Sequence, residues 1–80
     1  MELYATKTIK TQYLPATNLH GARIKASDGE GNSATVPYNY RLEILDNHQR
    51  AVLALCQKMN WTTPETRPGA YKNNYYWVLQ

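Results

Sequence analysis

Only one stretch of this chain, "DNHQRAVLALCQKMN" at residues 46–60, carries helical periodicity. Ala51, Val52, Leu55, Cys56 and Met59 recur at helical spacing and form one apolar stripe, while Arg50, Gln57 and Lys58 turn towards water. Asp46 is the expected N-cap, with Gln49 three residues later completing a capping box. Lys58 in the last turn suits the negative end of the helix dipole. Asn60 is the expected left-handed stop, after which Trp61 folds back onto Met59 or a sheet. A single helix can bury only one face of a sheet. Whatever strands this chain forms, one face of their sheet stays uncovered.

The rest of the chain reads as strand, turn and loop. Residues 4–14 alternate, with Ile9, Thr11 and Tyr13 on one face and Thr8, Lys10 and Gln12 on the other, until Pro15 ends the ladder. "ATNLHG" is a connecting loop. In residues 22–27, Ala22, Ile24 and Ala26 point one way and Arg23, Lys25 and Ser27 the other. "DGEGN" is a turn cluster, and "SATVPY" resumes the alternation, so these two segments form a hairpin. Pro37 places the third strand at an edge. After the helix, "TTPETRPG" is a polar loop and residues 70–80 read as one last strand. Tyr71, Asn73, Tyr75, Trp77 and Leu79 share one of its faces and Lys72, Tyr76 and Val78 the other. Apolar groups on both faces suit a central strand. The expected fold is a single α+β domain over residues 1–80: an antiparallel sheet of three or four strands in the order β-β-β-α-β, with the helix on one face.

Composition narrows the chemistry. One cysteine, Cys56, excludes an intrachain disulfide, and with only His20 and His48 beside it the chain is too poor in ligands for a convincing zinc site. No apolar run approaches the roughly 18 residues of a membrane span, and the N-terminus lacks a signal-peptide pattern, so a cytoplasmic protein is expected. Catalysis finds little to work with. His48 and Cys56 lie about 12 Å apart along the helix at about 1.5 Å per residue, too far for a thiolate pair. Cys56 falls on the apolar stripe, as packing; His48 in the first turn is expected to cap or hydrogen-bond locally. Asp28, Glu30, Glu43, Asp46 and Glu65 are scattered through turns and caps, and "DGEG" is a hairpin turn rather than a phosphate loop. The expectation is a protein that is not an enzyme and uses no cofactor or metal.

Binding finds more. The formal charge is +3, and seven tyrosines and two tryptophans stand with no phenylalanine. Tyrosine and tryptophan suit half-buried sheet faces and interfaces. Lys7, Lys10, Arg23, Lys25, Arg41 and Lys72 fall on or beside predicted strands, several on the expected open face with tyrosines between them. Such a face can dock a protein, or hold phosphates with its cations and stack bases on its rings. It can also be merely a solvated surface. A weaker reading has Arg23 holding a small anionic ligand.

"YLPATNLHGARIKA", "GNSATVPYNYRLE", "NHQRAVLALCQKMNW" and "PGAYKNNYYWVL" together resemble short uncharacterised proteins encoded by bacteriophages, prophages and plasmids. These share a Tyr-x-Pro-Ala-Thr segment, a Gly-x-Arg-Ile-Lys-Ala strand, an Asn-His pair at the helix start and a Trp after it. Many carry Gly where this chain has Asn60. The resemblance covers most of the chain, and Thr17, Asn18, Gly21, Arg23, Lys25, Asn47 and His48 match the shared pattern. It implies a small non-enzymatic protein that inhibits or modulates a host defence complex, as anti-CRISPR and other anti-defence inhibitors of this size do. The implied partner is a host protein or ribonucleoprotein, with nucleic acid as the alternative, and no membrane. The expected binding residues are Arg23, Lys25, Asn18, His48, Lys10 and Tyr76.

Overall fold

The computed structural model describes residues 7–64 and 67–79. Positions 4–6 of the first predicted strand, Glu65 and its neighbour in the loop, and the final residue of the last strand lie outside the described residues. The elements are β1 (Lys7–Leu14), β2 (Arg23–Ser27), β3 (Ser33–Pro37), α1 (Ile44–Met59), β4 (Gly69–Tyr71) and β5 (Asn74–Leu79). They build one α+β unit, a five-stranded antiparallel sheet in the order β3-β2-β1-β5-β4 with α1 on one face.

The alternation read from the sequence sets the two faces of the sheet. Ile9, Ile24, Ala26, Trp77 and Leu79 are buried and meet Ala51, Val52, Leu55 and Cys56 of α1 in one core. Each fully buried Ile or Leu stabilises by about 1.5–3 kcal/mol, so this face decides the register. Cys56 is 1% exposed, and burial raises its thiol pKa.

The hairpin from β2 to β3 closes as expected. Asp28 Oδ1 accepts from the backbone N–H groups of Glu30 (2.8 Å) and Asn32 (3.1 Å), and its Oδ2 accepts from Asn32 Nδ2 (2.8 Å). Gly29 and Gly31 supply φ values of 77° and 97° that a side chain would resist. The Asn32 amide, above all, holds the Asp28 carboxyl down to a pKa of about 2. Lys7 ties this loop to the far end of the helix: its Nζ lies 3.5 Å from Asp28 and 3.5 Å from Glu30, and 4.5 Å over the Trp61 ring. Asn60 takes φ 58° and ψ 41° and ends the helix, as its residue type predicts. Pro37 closes β3 at the sheet edge.

Three expectations need correction. First, α1 begins at Ile44, not after Asp46. The preceding Glu43 is extended and makes no side-chain cap bond, and Asp46 sits within the first turn. A buried side chain does the work assigned to the cap. Asn47 Oδ1 accepts from Asn39 N–H (2.7 Å), and its Nδ2 donates to the carbonyls of Asn39 (2.9 Å) and Glu43 (3.1 Å). The incoming loop is thereby pinned to the helix. Second, the segment 70–80 is not one strand. Lys72 and Asn73 both take positive φ, 50° and 68°, and make a two-residue turn between β4 and β5. Positive φ at both central positions is the demand of a type I′ hairpin. The turn reverses the alternation, so Tyr71 stands opposite Asn74 rather than in line with Tyr75. Third, this hairpin brings the sheet to five strands instead of three or four.

Candidate functional site

On the uncovered face, β1 supplies Lys10, β2 supplies Arg23 and Lys25, and β5 supplies Tyr76. The register makes them neighbours. Lys10 stands between Ser27 and Tyr76, Lys25 between Gln12 and Thr35, and Arg23 between Leu14 and Pro37. No carboxylate occupies any of these cross-strand positions. Lys25 is exposed, Lys10 and Arg23 half-buried, and the Arg23 Nε is buried without a hydrogen-bond partner among the described residues. Four of the six expected site residues are therefore brought together.

The other two are not. Asn18 sits in the exposed loop between β1 and β2, which is held by Thr17: its Oγ1 accepts from Leu19 N–H (3.3 Å) and His20 N–H (3.1 Å). His48 lies on the opposite side of the sheet, 2% exposed. Nor does it bond locally as expected. Its Nδ1 is 2.7 Å from the hydroxyl of Thr11, a residue on β1 with no exposed surface. Trp77 Nε1, which can only donate, gives its hydrogen to the same oxygen at 3.0 Å. The same hydroxyl is 3.4 Å from the Tyr75 carbonyl, to which it can donate its single hydrogen, so the direction of the Thr11–His48 bond follows the tautomer of the neutral imidazole. Burial lowers its pKa, which keeps it neutral.

Beside this histidine is a cleft of about 510 Å3. It exists because α1 packs on β1, β2 and β3 and leaves the hairpin of β5 and β4 projecting past it. Tyr13 and Tyr38 form one wall, their rings edge-to-face at 5.5 Å. His48 and Tyr75, ring centroids 4.6 Å apart, form the floor, and residues 70–74 the other wall. Tyr76 stays beside Lys10 on the outer face, while Tyr13, Tyr38 and Tyr75 line the cleft together with Lys72. The expectation of one basic, tyrosine-rich face is corrected to a basic outer face flanked by Tyr76 and an aromatic cleft on the helix side. The alternation had already put Tyr13 with the core residues. The hairpin wall was hidden in "YKNNY", where no glycine marked the turn.

No helix among the described residues is long and apolar enough to cross a membrane. Among the described residues, no group of three His, Cys, Asp or Glu side chains is placed to hold a metal ion. No protein-family model, curated protein or solved structure matches this chain.

Proposed function

We propose that this protein is a small non-enzymatic binding module that docks an acidic protein surface on its uncovered sheet face. We further propose that the partner is a cytoplasmic host protein or ribonucleoprotein defence complex, which it inhibits. One observation carries the reading: Lys10, Arg23 and Lys25 share that face, and every residue paired beside them is uncharged. Cations that make no ion pair among the described residues favour an anionic partner and disfavour basic ones. The mixture of Leu14, Pro37, Gln12 and Tyr76 between them suits a packed protein interface better than a phosphate track. The pattern shared with mobile-element proteins supplies the host-defence context. The non-enzymatic part rests on burial. Among the described residues the one hydroxyl–imidazole contact is Thr11 with His48, and its oxygen is sealed in the core, where a substrate cannot reach it.

The test is the double change Arg23→Glu with Lys25→Glu. It should stay folded: Lys25 is exposed, and Arg23 is half-buried with an Nε that makes no hydrogen bond among the described residues, so the change breaks no such bond. In bacteria with active CRISPR interference, the wild-type protein should restore plating of a targeted phage, and the double variant should not. Mobility shifts with single- and double-stranded DNA at low and physiological salt run alongside. Three cations release few counterions, so nucleic-acid binding by this face would follow a log–log salt slope of about −2.7. DNA binding of that kind, abolished by the double change and without restored plating, would replace the protein-docking reading with the nucleic-acid one.

A further inference from the structure

The cleft on the helix side is unrelated to the outer face, and its chemistry is specific. Its volume of about 510 Å3 falls within the usual range for small-molecule sites, roughly 300–1,000 Å3. Its walls are aromatic: Tyr13 and Tyr38 on one side, Tyr75 and the His48 ring at the floor. Tyr13 is 44% exposed although it lies on the core side of its strand, so a ring that the alternation turns inward meets Tyr38 edge-on and leaves much of its surface open to the cleft. At the floor, His48 is buried and spends Nδ1 on Thr11. Its Nε2 has no hydrogen-bond partner among the described residues. Through Nε2 the floor presents one hydrogen-bonding atom to whatever enters. At the rim stand Lys72 and the side-chain amides of Asn73 and Asn74, and no carboxylate lines the cleft among the described residues.

These features choose between ligand classes. An aromatic-walled pocket can hold a quaternary ammonium by cation–π attraction. Here the nearest charge is a lysine, which repels a cation, and the floor nitrogen has no hydrogen-bonding group to meet on a methylated ammonium. A flat ring with donors and acceptors along its edge uses every feature: its faces meet tyrosine rings and its edge hydrogen-bonds to Nε2. An anionic group attached to that ring reaches Lys72. We propose that this cleft is a binding site for a mononucleotide, with the base between the tyrosine walls, its polar edge hydrogen-bonded to His48 Nε2 and the phosphate at Lys72.

The experiment is a calorimetric titration of the whole protein with each of the four ribonucleoside monophosphates, with the matching nucleosides and with choline. Tyr13→Ala and Lys72→Asn are the cleft variants, and Lys25→Glu is the outer-face control. Tyr13 and Lys72 are exposed, and asparagine tolerates the positive φ at position 72, so both cleft variants should fold. At least one monophosphate should bind. Tyr13→Ala should weaken it about tenfold through loss of stacking. Lys72→Asn should weaken the monophosphate severalfold and leave the nucleoside unchanged, while Lys25→Glu should change neither. Four outcomes overturn the proposal: no monophosphate binds; choline binds in preference; binding ignores both cleft variants; or Lys25→Glu abolishes it while Tyr13→Ala does not. The last would place the nucleotide on the outer face, a result that bears on the proposed function and leaves the cleft empty of a role.

Discussion

The two sides of this sheet are made from the same strands by different rules. On the outer side, Lys10, Arg23 and Lys25 point to solvent because their strand neighbours must point inward, and nothing else is needed to place them. On the helix side, position depends on partners far away in the chain. His48 is oriented by Thr11, Thr11 by Trp77, and the cleft is walled by a hairpin that α1 is too narrow to cover. The outer surface should therefore tolerate substitution, and the inner one should respond as a unit. Polar networks in a low-dielectric interior fail together when one member is lost.

The sharpest way to break this contrast is Thr11→Val. Valine keeps the shape but leaves the Trp77 N–H and the His48 Nδ1 without partners in the core. The expected loss is about 3 kcal/mol, since each orphaned buried group costs about 1–3 kcal/mol. Thermal unfolding should fall by roughly 12–24 °C, at about 4–8 °C per kcal/mol in a domain of this size. A drop of only a few degrees would mean that packing alone holds His48, and the two sides would then differ less than their hydrogen bonds imply.

Next in size is the entry to the helix, where two adjacent residues should part company. Asn47→Ala removes every bond that ties the preceding loop to α1 through that side chain and should cost about 2 kcal/mol. Asp46→Ala removes only a favourable charge in the first turn and should cost no more than about 0.5 kcal/mol. Denaturant midpoints of the pair measure the difference. Equal effects would restore Asp46 as the cap.

The smallest effect is in pH. Burial lowers the folded-state pKa of His48 below its ordinary 6.5, so below that pH the unfolded chain binds the proton more readily. Stability should be full above pH 6.5 and decline as the pH falls beneath it. The melting temperature of His48→Gln should lack that decline. Asp28 acts in a separate window: its contribution is present above its ordinary 3.8 and fades as the pH falls towards about 2. A wild-type melting temperature flat from neutral pH down to 5 would mean that burial does not disfavour the charged imidazole.

What could be read in the sequence follows the same division. The buried stripe of α1, the inward Ile24, the outward Arg23 and Lys25, the edge position of Pro37 and the left-handed Asn60 each depend on a residue and its immediate neighbours. The cap motif at Asp46 is also a local signal, but it points two residues past the true start, and a buried amide reaching back to Asn39 leaves no such mark. The last hairpin is hidden because Lys72 and Asn73 accept positive φ without a glycine to announce it. The cleft is hidden with it, since that hairpin is its far wall. Tyr13, Tyr38, His48 and Tyr75 come from four parts of the chain, β1, the segment after β3, α1 and β5, and no spacing between them marks a site.

The pairing of β1 with β5 has a consequence for how the molecule comes into being. Lys7 stands opposite Leu79, and Ile9 opposite Trp77, so a central strand takes its partner from the other end of the chain. As the chain leaves the ribosome, β1, β2, β3 and α1 emerge with one flank of β1 unpaired and Thr11 lacking the indole that later donates to it. Closing that flank joins residues separated by nearly the whole sequence, the kind of contact that makes folding slow. Until β5 arrives, the nascent protein exposes a bare strand edge open to strand pairing with another chain.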